Sequence, residues 1–277
     1  MKAAVLGSPI VHSLSPVLHA AGYAALGLDD WTYTAIECDE AGLPALVASC
    51  GPGWAGLSLT MPLKRAVLPL LDTTDPVAAE VGGANTVVFS HGRRLGYNTD
   101  VPGMVAAMTE AGVAAPSAAV VLGAGATACS ALAALRDTGL RTVTVAVRDP
   151  ARAASLLDVA EVLGVQVELL PLADAIGPAS PPDLLISTVP AGAADFLAEK
   201  IEAGQPVPPH VFDVVYAPWP TRLAVAAQKA GATIVGGFDL LLHQATGQFE
   251  LMTGHPAPLD AMRTAGQAEL DRRSAAA

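Results

Sequence analysis

A glycine-rich turn between two apolar segments is the feature that most restricts how this chain can fold. The apolar run Ala118–Leu122 leads into Gly123–Ala128, which reads GAGATA and matches GxGxxG/A, and an Ala-rich stretch continues to Thr138. A buried strand, a tight turn and a helix in this order are typical of a dinucleotide-binding unit, in which the helix N-terminus faces the phosphates. A turn with a purely structural role is the alternative.

Short apolar strands alternate with helical segments beyond this turn. The expected strands are Ala118–Leu122, Thr142–Val147, Val165–Leu169, Asp183–Ser187 and Val211–Val215, with a helix from about Ala151. Uninterrupted apolar strands separated by helices predict a parallel sheet that is covered on both faces. The nearly uncharged run Ala118–Leu135 contains glycines and hydroxyl residues, which favour this strand, turn and helix over a membrane span.

The first hundred residues also predict alternating strands and helices. The expected strands are Ala3–Leu6, Thr32–Ile36, Gly56–Leu59 and Thr86–Phe89. A helix is expected with Ser15 as N-cap, Pro16 at its first position and Gly27 past its end. Phe238–Leu251 is helical again, and we expect this segment to return to the first domain. The boundary candidates are Gly112–Ser117 and the Gly236-Gly237 pair.

Charge and cysteine content exclude several classes of protein. The 277 residues carry 15 basic and 26 acidic side chains, a net charge of −11, and 52% of them are hydrophobic. A phosphate backbone is bound through dense Lys and Arg, so nucleic acid is not an expected partner. Cys38, Cys50 and Cys129 are too few and scattered for a disulfide framework or a zinc site. We therefore expect a globular cytoplasmic protein without a membrane anchor or a metal.

The end of the second strand of the predicted parallel sheet bears on the choice of nucleotide. An acidic residue at this place suits the ribose hydroxyls of NAD, whereas an arginine suits the 2′-phosphate of NADP. Arg148 and Arg152 favour NADP, and Asp149 favours NAD. Asp149 has a second interpretation, as the N-cap of the next helix. NADP is the favoured cofactor.

Polar side chains recur at the ends of elements in the first hundred residues. They are Ser13, Ser15, Thr60, Lys64, Asn85 and Asp100. Several have an ordinary structural interpretation: Ser15 as a helix cap, Lys64 as a solvated lysine, and Asn85 and Asp100 as turn-forming residues, whereas Ser13 has none. Taken together, their hydroxyl, amide, amine and carboxylate groups suit a small polyhydroxylated acid, with Lys64 as a candidate for acid–base chemistry.

The ordered set of motifs resembles the shikimate dehydrogenase family over nearly the whole chain, from about residue 3 to 255. The matching segments are Ser13–Pro16, Leu59–Lys64, Ala84–Thr86, Gly96–Asp100, the glycine turn, Asp213–Pro218, and Gly237 through Ala245. Three segments depart from the family pattern: Val147–Asp149, Ser187–Gly192 and Leu240. None of these departures involves Lys64 or Asp100.

The resemblance implies an α/β architecture and a role for each matching residue. It implies an N-terminal substrate-binding domain over 1–103, a Rossmann-type doubly wound NADP domain over 104–237, and C-terminal helices over 238–277 that pack on the first domain. Lys64 and Asp100 would be the acid–base pair. The substrate would be held by Ser13, Ser15, Thr60, Asn85, Tyr216 and Gln244, and NADP by Gly123, Ala124, Gly125, Ala126, Arg148, Thr188 and Gly237.

The implied reaction is reduction of 3-dehydroshikimate to shikimate with NADPH, a step toward aromatic amino acids. Within the class, a quinate/shikimate or aminoshikimate dehydrogenase using NAD or NADP is the alternative. A methylene-tetrahydrofolate dehydrogenase would share the two-domain plan but would not need Asn98–Asp100 or Gln244. An NADP-sensing regulatory protein is the alternative outside the enzymes, and it predicts loss of Lys64 or Asp100. The sequence does not decide between a monomer and a homodimer, nor between a biosynthetic and a secondary-metabolite role.

Overall fold

The computed structural model describes residues 1–113, 115–177 and 181–276. The expected boundary at Gly112–Ser117 and the expected segments 104–237 and 238–277 therefore each include positions outside the described residues, namely 114, 178–180 and 277. The chain forms two compact units: Met1–Gly103 with Leu241–Ala277, and Met104–Leu240. The C-terminal segment from Leu241 onward thus belongs to the first unit.

The first unit is built on a mixed six-stranded sheet within the described residues. Its strands are β1 (Lys2–Gly7), β2 (Thr32–Glu37), β3 (Trp54–Leu59), β4 (Thr73–Thr74), β5 (Thr86–Ser90) and β6 (Arg93–Tyr97). Their order is β2-β1-β3-β5-β6-β4. β1 pairs in parallel with β2 and β3, whereas β5 runs antiparallel to both β3 and β6. As a result, β5 begins at the edge where β3 ends, with Ser58 opposite Thr86.

Helices cover this sheet. They are α1 (Ser15–Ala25), α2 (Leu43–Ser49), α3 (Leu63–Ala66), α4 (Pro76–Glu80), α5 (Asp100–Glu110), and, after the second unit, α10 (Gly237–Thr253) and α11 (Leu259–Ala276). The chain leaves the first unit within α5 and returns to it within α10. One core cluster contains Leu6, Leu57 and Leu63, all buried. Phe249 of α10 packs against Gly22 of α1, where a Cβ atom would lie 2.7 Å from the ring.

The expected N-cap of α1 is wrong by one residue. The cap is Leu14, whose carbonyl oxygen accepts from the N–H groups of Val17 and Leu18. These are the donors that a capping Ser15 would need, so its side chain makes no cap and is buried instead. Ser13 Oγ accepts from the Ser15 N–H at 3.3 Å.

The second unit is a doubly wound parallel sheet. Its described strands are β7 (Ala119–Leu122), β8 (Thr142–Val147), β9 (Gln166–Pro171), β10 (Leu184–Ser187), β11 (His210–Asp213) and β12 (Thr233–Gly236). Their order is β12-β11-β10-β7-β8-β9, and every pairing is parallel. This is the strand order of the dinucleotide-binding fold, with its switch point between β7 and β10.

The helices of this unit are α6 (Ala126–Asp137), α7 (Ala154–Leu163), α8 (Asp195–Glu202) and α9 (Arg222–Lys229). All nine strands expected from the sequence are present, with ends displaced by at most two residues. Leu122, Leu185 and Val211 lie in one buried cluster with side chains of α8 and α9. No helix in the described ranges has the length and hydropathy needed to cross a lipid bilayer.

Candidate active site

An ion pair between Lys64 and Asp100 lies at the centre of the polar cluster in the first unit. Lys64 Nζ is 2.7 Å from Asp100 Oδ2, and the two side chains are only 15% and 8% exposed. Lys64 lies on α3, which begins after the turn at Pro62, and its carbonyl oxygen accepts from the Ala84 N–H. Asp100 begins α5, where the helix dipole favours a negative charge. A partly desolvated ammonium is thus held in a fixed position by a carboxylate.

Asn85 holds the second oxygen of this carboxylate. Its Nδ2 donates to Asp100 Oδ1 at 2.8 Å and to Thr99 Oγ1 at 2.9 Å. Its Oδ1 accepts from the Thr99 N–H at 2.9 Å and from the Thr86 hydroxyl at 2.8 Å. Asn85 is 1% exposed, so its amide is fully engaged within the protein. Asn98 fixes the start of α5, because its Oδ1 accepts from the N–H groups of Asp100 and Val101.

Helix α10 brings two glutamines to the same cluster. A Cβ atom on Gly103 would lie 2.9 Å from the Gln244 nitrogen, and one on Gly247 would lie 3.2 Å from Thr99, so glycine permits this close approach. Gln244 Oε1 lies 3.4 Å from Asn85 Nδ2. Gln248, which is 1% exposed, donates to the Asn85 carbonyl oxygen at 3.2 Å. Sequence reasoning identified Gln244 and missed Gln248.

The serine loop, residues 8–14, carries Ser13 and leads into Ser15, the first residue of α1. Glu37, at the end of β2, accepts from the Ser8 hydroxyl at 2.6 Å and from the Ile10 N–H at 2.9 Å. Arg273 of α11 donates to the His12 carbonyl oxygen at 2.7 Å. Ser13 is half-buried and Ser15 is 4% exposed. The serine loop is therefore held by a carboxylate on one side and a guanidinium on the other.

Thr60 lies on the loop that follows β3. Its N–H donates to the Leu6 carbonyl oxygen at 2.9 Å, and its own carbonyl oxygen accepts from Leu63. A Cβ atom on Gly7 would lie 2.3 Å from the Thr60 methyl group, so the ends of β1 and β3 approach closely only because residue 7 is glycine. The half-buried Thr60 lies at the same edge of the sheet as the serine loop.

The glycine turn of the second unit has the geometry that a pyrophosphate requires. Gly123 has φ +97°, and a Cβ atom there would lie 2.9 Å from Thr188 Oγ1. Thr188 donates to the Leu122 carbonyl oxygen at 2.6 Å, which ties the end of β10 to the end of β7. Gly125 is exposed, and a Cβ atom there would meet nothing within 4 Å. Open space above Gly125 at the N-terminus of α6 fits the approach of phosphates.

Asp149, two residues after β8, makes a structural contact. Its carboxylate accepts from the Ala151 N–H at 3.0 Å and caps the short 3₁₀-helix Pro150–Ala153. The capping interpretation of Asp149 is therefore confirmed. Arg148 and Arg152 are both exposed beside it. These two cations fit the 2′-phosphate of NADP.

Two further residues expected in the site belong to the second unit. Gly237 follows β12, and a Cβ atom there would lie 2.3 Å from the Val214 carbonyl oxygen. Only glycine fits at this position. Tyr216 follows β11 and is half-buried.

A doubly wound dinucleotide-binding sheet in one unit and a buried lysine–carboxylate pair in the other define an NADP-dependent oxidoreductase. Three family models match the chain: the shikimate dehydrogenase substrate-binding domain at residues 5–87, shikimate/quinate 5-dehydrogenase at 106–215, and the shikimate 5′-dehydrogenase C-terminal domain at 237–265. The NADP(+) shikimate dehydrogenase of Moorella thermoacetica is 35% identical over 271 residues, which cover 94% of this chain and 90% of that protein.

Solved structures agree with the family models. The shikimate dehydrogenase of Mycobacterium tuberculosis is 44% identical, with a TM-score of 0.87 over 97% of this chain and 99% of that one. Shikimate 5-dehydrogenase from Thermus thermophilus, in complex with NADP(H) and shikimate, is 33% identical, with a TM-score of 0.83 over 97% and 99% of the two chains. This chain belongs to the shikimate dehydrogenase family.

Proposed function

We propose that this chain reduces 3-dehydroshikimate to shikimate with NADPH, with Lys64 and Asp100 as the acid–base pair. The observation that carries the proposal is the ion pair itself: the two side chains are 2.7 Å apart and almost excluded from water. The match of the family models to both units supports the same reaction. The intact pair argues against a regulatory protein on the same scaffold.

Reduction of a ketone generates an alkoxide, which needs a proton donor within hydrogen-bonding distance. NADPH supplies the hydride when it is bound. The Lys64 ammonium is the proton donor, and Asp100 holds this ammonium and accepts a hydrogen bond from a neighbouring substrate hydroxyl. Ser13, Ser15, Thr60 and Gln244 supply hydroxyl and amide groups for the substrate carboxylate and the remaining hydroxyls. Asn85, saturated by the protein, keeps Asp100 in place.

Steady-state kinetics with the purified protein test the function. Shikimate and quinate are each offered with NADP+ and NAD+, and nicotinamide reduction is followed. We expect fast turnover with shikimate and NADP+. Faster turnover with quinate would move the chain to the quinate branch of the family, and silence with all four pairs would contradict the proposal.

Cofactor preference is tested separately at Arg148. Because the Asp149 carboxylate is occupied by the Ala151 N–H, Arg148 and Arg152 are the proposed determinants of the 2′-phosphate. Arg148→Ala should lower kcat/KM with NADP+ by about tenfold and leave kcat/KM with NAD+ unchanged, as expected for loss of one charge-assisted contact. Asp149→Asn is the matched control, since an amide oxygen can still cap the 3₁₀-helix. Equal losses with both cofactors would show that Arg148 does not read the 2′-phosphate.

Three reduced cysteines support a cytoplasmic setting for this enzyme. Among the described residues, Cys38, Cys50 and Cys129 form no disulfide, and partial burial raises the pKa of the Cys50 thiol to about 11. A thiol with a raised pKa is mostly protonated at neutral pH and therefore poorly reactive. Light scattering of the purified chain would decide whether it forms the homodimer that the sequence leaves open.

A further inference from the structure

A buried chain of hydrogen bonds leads from Tyr33 on β2 to Asp100. Tyr33 donates to Ser58 Oγ at 2.6 Å, and Ser58 donates to Gln248 Oε1 at 2.8 Å. Gln248 Nε2 donates to Thr86 Oγ1 at 3.2 Å, and Thr86 donates to Asn85 Oδ1 at 2.8 Å. Asn85 Nδ2 then donates to Asp100 Oδ1 at 2.8 Å. Every member of the chain is at most 8% exposed.

The backbone N–H of Thr99 fixes the direction of this chain at its Asp100 end. The Thr99 N–H can only donate, and it lies 2.9 Å from Asn85 Oδ1, so the amide nitrogen of Asn85 must face the carboxylate. The Thr86 hydroxyl therefore also faces the acceptor Oδ1 of Asn85, and it must donate to this oxygen. The Thr99 N–H and the Thr86 hydroxyl are thus both committed to Oδ1, which the Thr99 hydroxyl also approaches to 3.2 Å, and the amide dipole points along the chain.

The Asn85 carbonyl oxygen fixes the other half. This oxygen can only accept, and it lies 3.2 Å from Gln248, so the nitrogen of the Gln248 amide must face Asn85 and Thr86. Gln248 Oε1 then faces Ser58 and must accept from it. Since the Ser58 proton is used in this contact, the Tyr33 hydroxyl must donate to Ser58. All five bonds therefore point the same way, toward the carboxylate.

We propose that Tyr33, Ser58 and Gln248 are positioning residues that polarise the Asn85 amide and thereby stabilise the ionised Asp100. The inference rests on the role proposed for Asp100. Aligned hydrogen bonds polarise one another in a medium of low dielectric, so each donor increases the ability of the Asn85 N–H to hold the carboxylate. Loss of the first donor lets the Ser58 hydroxyl rotate and weakens the polarisation of the amides beyond it, while the Thr99 N–H and the Asn85 carbonyl oxygen still hold their orientation.

The charged and titratable groups around the chain are few. Lys64 on α3 faces the other oxygen of Asp100. At the far end, His19 of α1 stacks on Tyr33, with 4.0 Å between ring centroids, and burial lowers its pKa to about 3 while the Gln248 side chain acts in the opposite direction. His19 is therefore neutral at neutral pH. Burial raises the pKa of Tyr33, and the side chains of Ser58 and Ser15 oppose this shift.

Tyr33→Phe tests the proposal, because it removes one donor and preserves the ring. We expect kcat for 3-dehydroshikimate reduction to fall about three- to tenfold, in line with the loss of one buried hydrogen bond. The acidic limb of the kcat profile should move to higher pH, since the carboxylate is less stabilised as an anion. Ser58→Ala should reproduce both effects, and the double variant should lose little more than either single variant.

Tyr23→Phe is the matched control. Tyr23 is also a buried tyrosine, its ring lies 6.1 Å from that of His19, and among the described residues its hydroxyl has no hydrogen-bond partner. This variant should keep the wild-type kcat and pH profile.

Four results would overturn the inference. Tyr33→Phe could behave like Tyr23→Phe, could lower only the thermal unfolding midpoint, or could raise only the KM for 3-dehydroshikimate, which would place Tyr33 with Ser15 instead. Ser58→Ala could also leave kcat and the pH profile unchanged. Failure of the proposed function is distinguishable from all of these, since the wild-type protein itself would then be inactive, or Asp100→Asn would retain full turnover.

Discussion

The candidate site of the first unit is built from side chains, whereas that of the second unit is built from the backbone. In the first unit, side chains meet side chains: Lys64 with Asp100, Asp100 with Asn85, and Asn85 with Thr86. In the second unit, the site is a backbone shape, in which Gly123 turns the chain and Gly125 leaves open space at a helix N-terminus. A shape made by backbone binds any nucleotide that carries a pyrophosphate, whereas a network of side chains fixes one arrangement of polar groups for one kind of substrate.

This difference predicts that variants of the two units lose different functions. Variants in the first unit should change turnover or substrate KM and leave nucleotide binding intact. Variants in the glycine turn should weaken nucleotide binding and leave the substrate KM intact.

Removal of the ammonium should give the largest effect. Lys64→Ala takes away the proposed proton donor and leaves Asp100 without its cation, so kcat should fall by roughly 10²–10⁴-fold, the usual range for general acid–base catalysis. NADPH affinity, measured by fluorescence titration, should stay within about twofold of wild type, since no contribution to the cofactor from Lys64 is proposed. Unchanged kcat would disprove the role of Lys64, and a parallel loss of NADPH binding would break the separation between the units.

The two glycines of the turn should fail in different ways. Gly123→Ala forces a side chain into φ +97° and against Thr188, so it should lower the free energy of unfolding by about 1–3 kcal/mol. Gly125→Ala meets open space in the protein and should keep its stability, while the added methyl group keeps the pyrophosphate away from the backbone and raises the KM for NADPH by about tenfold or more. Thermal unfolding and NADPH titration of both variants check this pair. Loss of stability in Gly125→Ala would contradict it.

This contrast also explains what the sequence could predict. Backbone shape can be predicted from the sequence, because a positive φ or a close approach selects glycine. The turn at Gly123 and the strands around it are therefore predictable. The Lys64–Asp100 pair was accessible only through motifs. The sequence does not predict the mixed strand directions of the first sheet, since nothing in Thr86–Ser90 indicates that this strand runs antiparallel to β3.

The hydrogen-bond chain from Tyr33 could not be read from the sequence at all. Its Ser58 and Gln248 are 190 positions apart, and a buried glutamine in a helix looks no different from an exposed one. The prediction of Ser15 as the cap is wrong for a related reason, because the Leu14 carbonyl oxygen binds the same N–H groups of Val17 and Leu18. Asp149 was ambiguous between two interpretations until its contact with Ala151 was known.

Acid should affect the two units in opposite directions. Burial lowers the pKa of His19 to about 3, from 6.5, so the unfolded chain binds one more proton between these values and stability of the first unit falls as pH falls through this window. Burial raises the pKa of Asp213 in the second unit, although hydrogen bonds from Thr221 and Val215 oppose this. Its contribution is therefore present at low pH and is lost as pH rises above about 3.8.

His19→Phe should remove the first of these effects. Between pH 6 and pH 4, the free energy of unfolding of the wild-type chain should fall more steeply than that of the variant, by about 1.4 kcal/mol per pH unit. Urea unfolding at each pH measures the slopes, and hydrogen exchange locates the unit that opens. His255→Ala, at an exposed position, is the control and should keep the wild-type slope. Equal slopes for wild type and His19→Phe would show that His19 does not govern acid stability.

The smallest effect tests whether side chains hold the first unit's site even at its exposed edge. Arg272 and Arg273 both bind Glu269. Of these two described arginines, only Arg273 has a further partner next to Ser13: it donates to the His12 carbonyl oxygen. Arg273→Ala should therefore loosen the serine loop and raise the KM for 3-dehydroshikimate about two- to fivefold, as expected for one partly exposed contact, with kcat and the KM for NADPH unchanged. Arg272→Ala should leave all three constants at wild-type values. If the two variants behave alike, the loop is held by Glu37 and its own backbone, and the reliance on side chains is confined to the buried interior of the first unit.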